Sequence, residues 1–121
     1  MAGQFAFFGG QILMYQALID AQRGELDAAL ATFANGRAGF RANGGRTGIA
    51  TCQALLAEQL ARSGRISDAA AHVAAARQDI IDTGEGTNEL PVRIAEGVLA
   101  HAQGDTDLAR QHFITAIRAG R

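Results

Sequence analysis

The chain has 121 residues, 48% of them hydrophobic, and a formal net charge of −1. This length suits a single domain, and the dispersed basic residues argue against nucleic-acid binding, which needs concentrated positive charge. Cys52 is the only cysteine, which excludes a disulfide framework and a thiolate metal cluster within the chain. No apolar run reaches the ~20 residues of a membrane span, and Met1–Phe8 lacks the pattern of a secretion signal. We therefore expect a cytoplasmic location.

The composition predicts an all-α protein with glycine turns. Much of the hydrophobic fraction is alanine, the strongest intrinsic helix former, whereas a glycine within a helix costs about 1 kcal/mol relative to alanine. The 15 glycines therefore indicate turns, and the single proline, Pro91, fits the first turn of a helix. All 11 basic residues are arginine, which with the alanine and glycine content indicates a GC-rich bacterial genome. The predicted helices cover roughly 5–23, 26–42, 47–63, 66–82, 89–103 and 106–119.

A local pattern recurs around three glycines, which we call the turn glycines: Gly24, Gly64 and Gly104, spaced 40 residues apart. We number positions from the turn glycine. A small residue occupies position −7, alanine occupies +5, a larger apolar residue occupies +9, and a second small residue occupies +12. The residues, in chain order, are Ala17, Ala57 and Gly97; Ala29, Ala69 and Ala109; Phe33, Val73 and Phe113; and Gly36, Ala76 and Ala116. This agreement indicates an internal repeat. It predicts one domain, 1–121, of three helix–turn–helix repeats at about 4–43, 44–83 and 84–121.

Each position of the pattern has a physical interpretation. The turn glycine takes the left-handed conformation that ends a first helix. Alanine and the larger apolar residue lie four apart on one face of the second helix. The small residue at −7 lets the paired helices approach closely, and the Phe or Val at +9 fills the space between successive hairpins.

The small–large–small pattern resembles the tetratricopeptide repeat, lengthened from about 34 residues to 40. Residues 53–65, QALLAEQLARSGR, resemble a segment in the helical tail of bacterial signalling ATPases. Those proteins often carry an adenylyl or guanylyl cyclase domain or a LuxR-type DNA-binding domain. The similarity extends from about Gly10 to Ile117 and includes the loops near 41–44 and 83–85 and the segment 97–105. It implies a tetratricopeptide-like solenoid.

The motifs of this resemblance are packing motifs, so they imply a scaffold and transfer none of the ATPase or cyclase chemistry. One departure concerns an acidic-Leu-x-Arg pattern of the tail. Glu89, Leu90 and Arg93 are present here, but Pro91 and an altered spacing disturb the register.

Isolated histidines and the cysteine are the first candidates for chemistry. His72 and His112 both lie eight residues after a turn glycine, so adjacent hairpins would hold them about 10 Å apart, too far for one metal ion. His101 lies on a first helix, and none of the three has a second ligand at i+3 or i+4. Cys52 has no histidine near it in sequence, which favours a buried structural thiol over a nucleophile.

The remaining polar candidates also have structural explanations. The segment 84–87, GEGT, is glycine-rich but lacks the strand and the Gly-Lys-Ser/Thr of a phosphate-binding loop. Asp105 and Asp107 are placed to cap the last helix and complement its dipole. Asp79 and Asp82 fall near the end of the fourth helix, where negative charge is unfavourable and the sequence offers no explanation. We predict no catalytic, cofactor or metal site, and hence no enzyme.

The leading functional prediction is a protein-interaction or spacer scaffold from a bacterial signalling or transcription-regulating protein, with an unknown protein or peptide partner and no nucleic-acid or membrane partner. Solenoids usually bind ligands along the concave face formed by their first helices. The predicted inward residues are Gln11, Met14, Leu18, Gln22, Thr51, Ala54, Glu58, Arg62, Ile94, Val98 and His101. Glu58 and Arg62 fit an i,i+4 ion pair on a solvated face and a peptide anchor equally well.

The alternative prediction is a homo-oligomerisation element. The first helix carries more apolar side chains than one packed face can use: Phe5, Phe7, Phe8, Ile12, Leu13, Tyr15 and Ile19. This excess favours a two-fold homodimer that buries the Phe5–Phe8 region. A break at the following glycines, leaving the first residues disordered, is the other explanation. A small-molecule sensor ranks last, because six Phe and one Tyr are few to line a deep pocket.

Overall fold

A computed structural model describes residues 2–42, 49–84 and 89–119, and within them the side chains of 12–38, 49–82, 84 and 89–118. This part of the chain is helical with no strand, which confirms the all-α prediction. Its helices end within three residues of the predicted bounds. They are α1 (Ala2–Gln22), α2 (Leu26–Ala42), α3 (Ile49–Arg62), α4 (Ile66–Thr83), α5 (Glu89–Ala102) and α6 (Thr106–Ala119).

The three turn glycines adopt the predicted left-handed conformation, with φ of 82°, 84° and 84°. In the first turn, the Gly24 N–H donates to the Ala21 carbonyl at 3.0 Å, and the Glu25 N–H donates to the Asp20 carbonyl at 2.9 Å. The same pair of bonds closes α3 and α5. This is the Schellman arrangement, which satisfies carbonyls that a helix end would otherwise leave without partners. An L side chain would be strained at that φ.

Two further helix ends are fixed locally. The Leu108 N–H donates to Asp105 Oδ1 at 3.1 Å, which confirms that Asp105 caps α6. Gly84, with φ of 69°, ends α4 and donates its N–H to the Ile80 carbonyl at 2.8 Å. Residues 85–88, the rest of the glycine-rich segment, lie outside the described residues.

The helices pair in sequence as α1–α2, α3–α4 and α5–α6, and the first helices α1, α3 and α5 lie side by side. The small residues at −7 allow close approach: Ala17 and Ala57 are fully buried, and a Cβ on Gly97 would lie 2.6 Å from Cε1 of Phe113. A methyl group at −7 of the third hairpin would therefore displace the Phe113 ring, which occupies that space.

Two apolar clusters join the hairpins. The first, at the contact we call junction 1, joins the α1–α2 and α3–α4 hairpins and buries large side chains, among them Met14, Phe33, Leu56 and Leu60. The second, at junction 2, joins the α3–α4 and α5–α6 hairpins and buries smaller ones. It consists of Ala50, Ala54, Ala57, Val73, Ala76, Val92 and Ala95. The Leu99 side chain packs against both clusters.

The +9 side chains follow the prediction in two hairpins and depart from it in the third. Phe33 and Val73 are 1% and 7% exposed and lie within the clusters. Phe113 is only partly buried, because depressions open on two sides of its ring. The prediction that Phe113 fills a gap between hairpins is therefore wrong for this end of the described chain.

Candidate binding surface

Two positions of the first helices, counted from the turn glycine, carry side chains that are partly or fully exposed. Position −6 is occupied by Leu18, Glu58 and Val98, and position −2 by Gln22 and Arg62 on α1 and α3. Because α1, α3 and α5 lie side by side, equivalent positions form rows across the helices. We call this the first-helix surface, and it has a depression on each side of α3.

The first depression lies between α1 and α3. It has a volume of about 80 Å³ and is lined by Leu18, Gln22, Leu55, Glu58 and Gln59. Leu18, which also packs against the first cluster, and Leu55 supply its apolar lining, and Gln22, Glu58 and Gln59 supply its polar lining.

The second depression lies between α3, α5 and α6. It is larger, about 270 Å³, and is lined by Arg62, Val98, His101 and Phe113. Val98 and the Phe113 ring make an apolar surface flanked by a guanidinium and an imidazole. This combination suits an apolar side chain next to an acidic group.

Glu58 and Arg62 bridge the two depressions. Their side chains form an i,i+4 ion pair of 3.8 Å between Oε2 and Nη2, with Glu58 15% and Arg62 62% exposed. Burial raises the pKa of Glu58 above its usual value, and the nearby Arg62 charge opposes this effect. Because Arg62 is mostly exposed and the contact is long, this ion pair contributes at most about 1 kcal/mol. The Arg62 guanidinium can therefore exchange partners at little cost.

Six of the predicted inward residues line these depressions. They are Leu18, Gln22, Glu58, Arg62, Val98 and His101. Thr51 is half-buried on α3 and lines neither depression. The side chains of Gln11, Phe5, Phe7 and Phe8 lie outside the described part of the chain, so the two-fold interface predicted on these phenylalanines stays a prediction.

Met14 does not lie on the surface. It is 1% exposed and belongs to the first cluster, so its prediction as a concave-face residue is wrong, and Ala54, fully buried, is wrong for the same reason. Both occupy position −10, which faces the next hairpin and is covered by it. Ile94, at −10 in the third hairpin, instead lines a separate apolar cavity of about 440 Å³ together with Leu90, Phe113, Ala116 and Ile117.

Junction 1 contains a polar network that the sequence did not predict. Arg37 forms a bidentate ion pair with Asp79, at 2.9 Å from Nη1 to Oδ2 and 2.8 Å from Nη2 to Oδ1. Arg37 also donates to Gln53, whose Nε2 lies 3.1 Å from His72 Nδ1. Burial lowers the pKa of His72, and its ring meets that of Phe33 edge to face at 5.7 Å. This network accounts for Asp79 near the end of a helix.

Junction 2 has a corresponding network with different residues. Arg77 donates to Glu89 and Glu96, and Arg93 bonds to Glu89 at 3.1 Å and lies 3.2 Å from His112 Nδ1. The hydrogen bond from Arg77 lowers the pKa of Glu89 below its usual value. Arg37 and Arg77 both lie at position +13, which is the signal that could have revealed the two networks in the sequence.

Cys52 and the side chains that could bind a metal ion are the groups to consider for chemistry. Burial raises the pKa of the Cys52 thiol, which leaves it protonated and poorly nucleophilic at neutral pH. No group of three His, Cys, Asp or Glu side chains within the described ranges is arranged to hold a metal ion. Among the same residues, no helix combines the length and apolar character needed to cross a membrane.

Comparisons with protein-family models, with curated proteins and with solved structures yield no match to this chain.

Proposed function

We propose that the chain is a tetratricopeptide-like scaffold that binds a segment of another protein on the first-helix surface. One observation carries the proposal: all three first helices contribute side chains to two neighbouring depressions joined by Glu58 and Arg62. Repeated helical hairpins commonly bind ligands on the surface formed by their first helices.

The chemistry of the surface indicates the kind of segment. The two depressions accept apolar side chains at Leu18 and Leu55 on one side and at Val98 and Phe113 on the other. Between them, Arg62 is exposed and can pair with an acidic group. The partner we propose is therefore a short segment with two apolar side chains flanking an acidic one.

The wider setting belongs to the same proposal. The resemblance of residues 53–65 to the tail of bacterial signalling ATPases favours a cytoplasmic scaffold in a signalling or transcription-regulating protein. A non-catalytic role fits a protonated Cys52 and histidines engaged with Gln53 and Arg93. A spacer without a ligand remains the competing function, and binding separates the two.

The test is a selection of peptides from a random library on the immobilised chain, followed by calorimetric titration of the selected peptides. We expect them to combine apolar and acidic residues and to bind Arg62→Gln at least about tenfold more weakly, the effect of losing about 1.4 kcal/mol. Arg118→Gln is the matched control, because Arg118 is an exposed arginine on α6 that lines neither depression. Failure to select any peptide would favour the spacer, whereas equal binding to Arg62→Gln would contradict a binding site at Arg62.

A further inference from the structure

The apolar cavity at the end of the third hairpin repeats a surface that is covered inside the molecule. Its lining residues, which we call the α6 end face, are Leu90, Ile94, Phe113, Ala116 and Ile117, at positions −14, −10, +9, +12 and +13. In the second hairpin the same positions form the side of junction 2 that receives α5. They are Ala50, Ala54, Val73 and Ala76, all buried in the second cluster, and Arg77, which bonds to Glu89 and Glu96.

The side chains that α5 places on that surface also have equivalents elsewhere in the chain. At junction 2, α5 contributes Val92, Ala95 and Leu99, at positions −12, −9 and −5. The same positions on α1 define what we call the α1 outer face. They are Ile12, Tyr15 and Ile19, which are 66%, 54% and 47% exposed.

Polar and apolar residues change together on the two end surfaces. Inside the molecule, the arginine at +13 meets polar residues of the following first helix, as Arg37 meets Gln53 at position −11. At the ends, +13 is Ile117, which is 60% exposed, and −11 is Leu13, which is 37% exposed. Both positions of this contact, +13 and −11, therefore carry an apolar residue at the ends in place of a polar one. Stacking one end on the other would bury no charged side chain at +13.

We propose that a second copy of this chain stacks head to tail on the first, with its α1 outer face packed on the α6 end face. The contact continues the stacking seen at junction 2, with Ile12 where Val92 lies and Ile117 beside Leu13. Because the two surfaces differ, the contact is heterologous and leaves one free surface at each end. Repetition then gives a chain of copies. Only Phe113 is shared with the first-helix surface, so failure of peptide binding and failure of stacking are distinguishable.

Sedimentation velocity over a range of protein concentrations tests the proposal. The wild-type chain should grow beyond a dimer as concentration rises, whereas Ile117→Glu and Ile12→Glu should each remain monomeric. An equal mixture of these two variants should form a species of two copies and no larger. Ile117→Glu retains an intact α1 outer face, and Ile12→Glu retains an intact α6 end face, so these two surfaces can pack together. The two surfaces left over each carry a glutamate and repel each other. Ile81→Glu, which alters an isoleucine 65% exposed on α4, is the control and should assemble like the wild type.

Three results would overturn the proposal. One is a wild-type chain that stays monomeric at every concentration, which would assign the end faces to another protein. Another is a wild-type chain that grows no further than a dimer, combined with a mixture of the two glutamate variants that forms no species of two copies. This result would indicate a two-fold contact. The third is assembly of either glutamate variant alone. Circular dichroism of each variant should match the wild type, since both substituted positions are exposed. An unfolded variant would be replaced by Tyr15→Glu on the α1 outer face or by Leu90→Glu on the α6 end face.

Discussion

Junction 1 and junction 2 use the same repeat positions but stabilise the contact differently. Junction 1 buries large side chains, including Met14 and Phe33, beside an Arg37–Asp79 ion pair. Junction 2 buries mainly alanine and valine beside a network in which Arg77 and Arg93 share the carboxylates of Glu89 and Glu96. The first junction depends more on buried apolar volume and the second more on charge.

This difference shows which parts of the repeat are constrained. The turn glycine and the small residue at −7 fix how the two helices of a hairpin meet, and both recur in all three hairpins. The residues between hairpins vary as long as their volumes and charges match across the contact. A Val at +9 accompanies alanines at junction 2, whereas Phe33 packs against larger neighbours at junction 1.

Truncation at position +9 should produce the largest difference between the junctions. Phe33→Ala should lower the free energy of unfolding by about 3–5 kcal/mol, because it leaves a cavity among large buried side chains. Val73→Ala removes about two methylene equivalents and should lower it by about 1.5 kcal/mol. Urea denaturation of both variants measures the difference. An equal loss of unfolding free energy in the two variants would contradict the conclusion that junction 1 depends more on buried apolar volume than junction 2 does.

Removing the arginine at +13 should produce a smaller and asymmetric effect. Arg37→Met should destabilise the chain by about 1.5–3 kcal/mol, the range for hydrogen bonds to charged groups, since Asp79 loses its bidentate partner. Arg77→Met should cost less, because Arg93 still contacts Glu89 and Glu96. The same denaturation experiment measures both variants, and a greater loss for Arg77→Met would reverse the ranking.

Acidification should affect the two junctions at different pH, with the smallest effect of the three. Burial lowers the folded-state pKa of His72 from its ordinary 6.5, so the unfolded chain binds the proton first and stability falls as pH drops below 6.5. The pKa of Glu89 is lowered from 4.5 by Arg77, so its contribution is complete above 4.5 and is lost as pH falls through the lowered value.

The free energy of unfolding, measured in urea across this pH range, separates the two groups. His72→Gln should flatten the profile just below pH 6.5, and Glu89→Gln should flatten it only below pH 4.5. His101→Gln, at an exposed position on α5, is the control. An unchanged slope in His72→Gln would show that this imidazole does not couple to folding.

The sequence predicted the features that depend on local interactions. Glycine spacing located the three turns, and alanine-rich segments located the helices, because backbone conformation and helix propensity act over a few residues. The cap at Asp105 belongs to the same group. On the first-helix surface, counting from the turn glycine identified Leu18, Glu58 and Val98, since residues at one repeat position share one orientation.

The errors concern contacts between hairpins. Met14 and Ile94 share position −10, yet only Met14 is covered by a following hairpin, and helical periodicity cannot distinguish a position covered by a neighbour from one that is open. Asp79 lacked an explanation because its partner Arg37 is 42 residues away on another helix. Such pairs depend on how one hairpin is aligned on the next. The repeat pattern defines this alignment only at the positions whose residue type recurs in all three hairpins.

Leu99 has a consequence for how the chain unfolds. Arrays of repeats can in principle lose one unit at a time, since each unit contacts mainly its neighbours. Leu99 packs on the cluster of junction 1 as well as on that of junction 2, so separation of the third hairpin removes a side chain from both. The free energies of the two contacts are thereby coupled, which disfavours partly unfolded intermediates and favours a single cooperative transition.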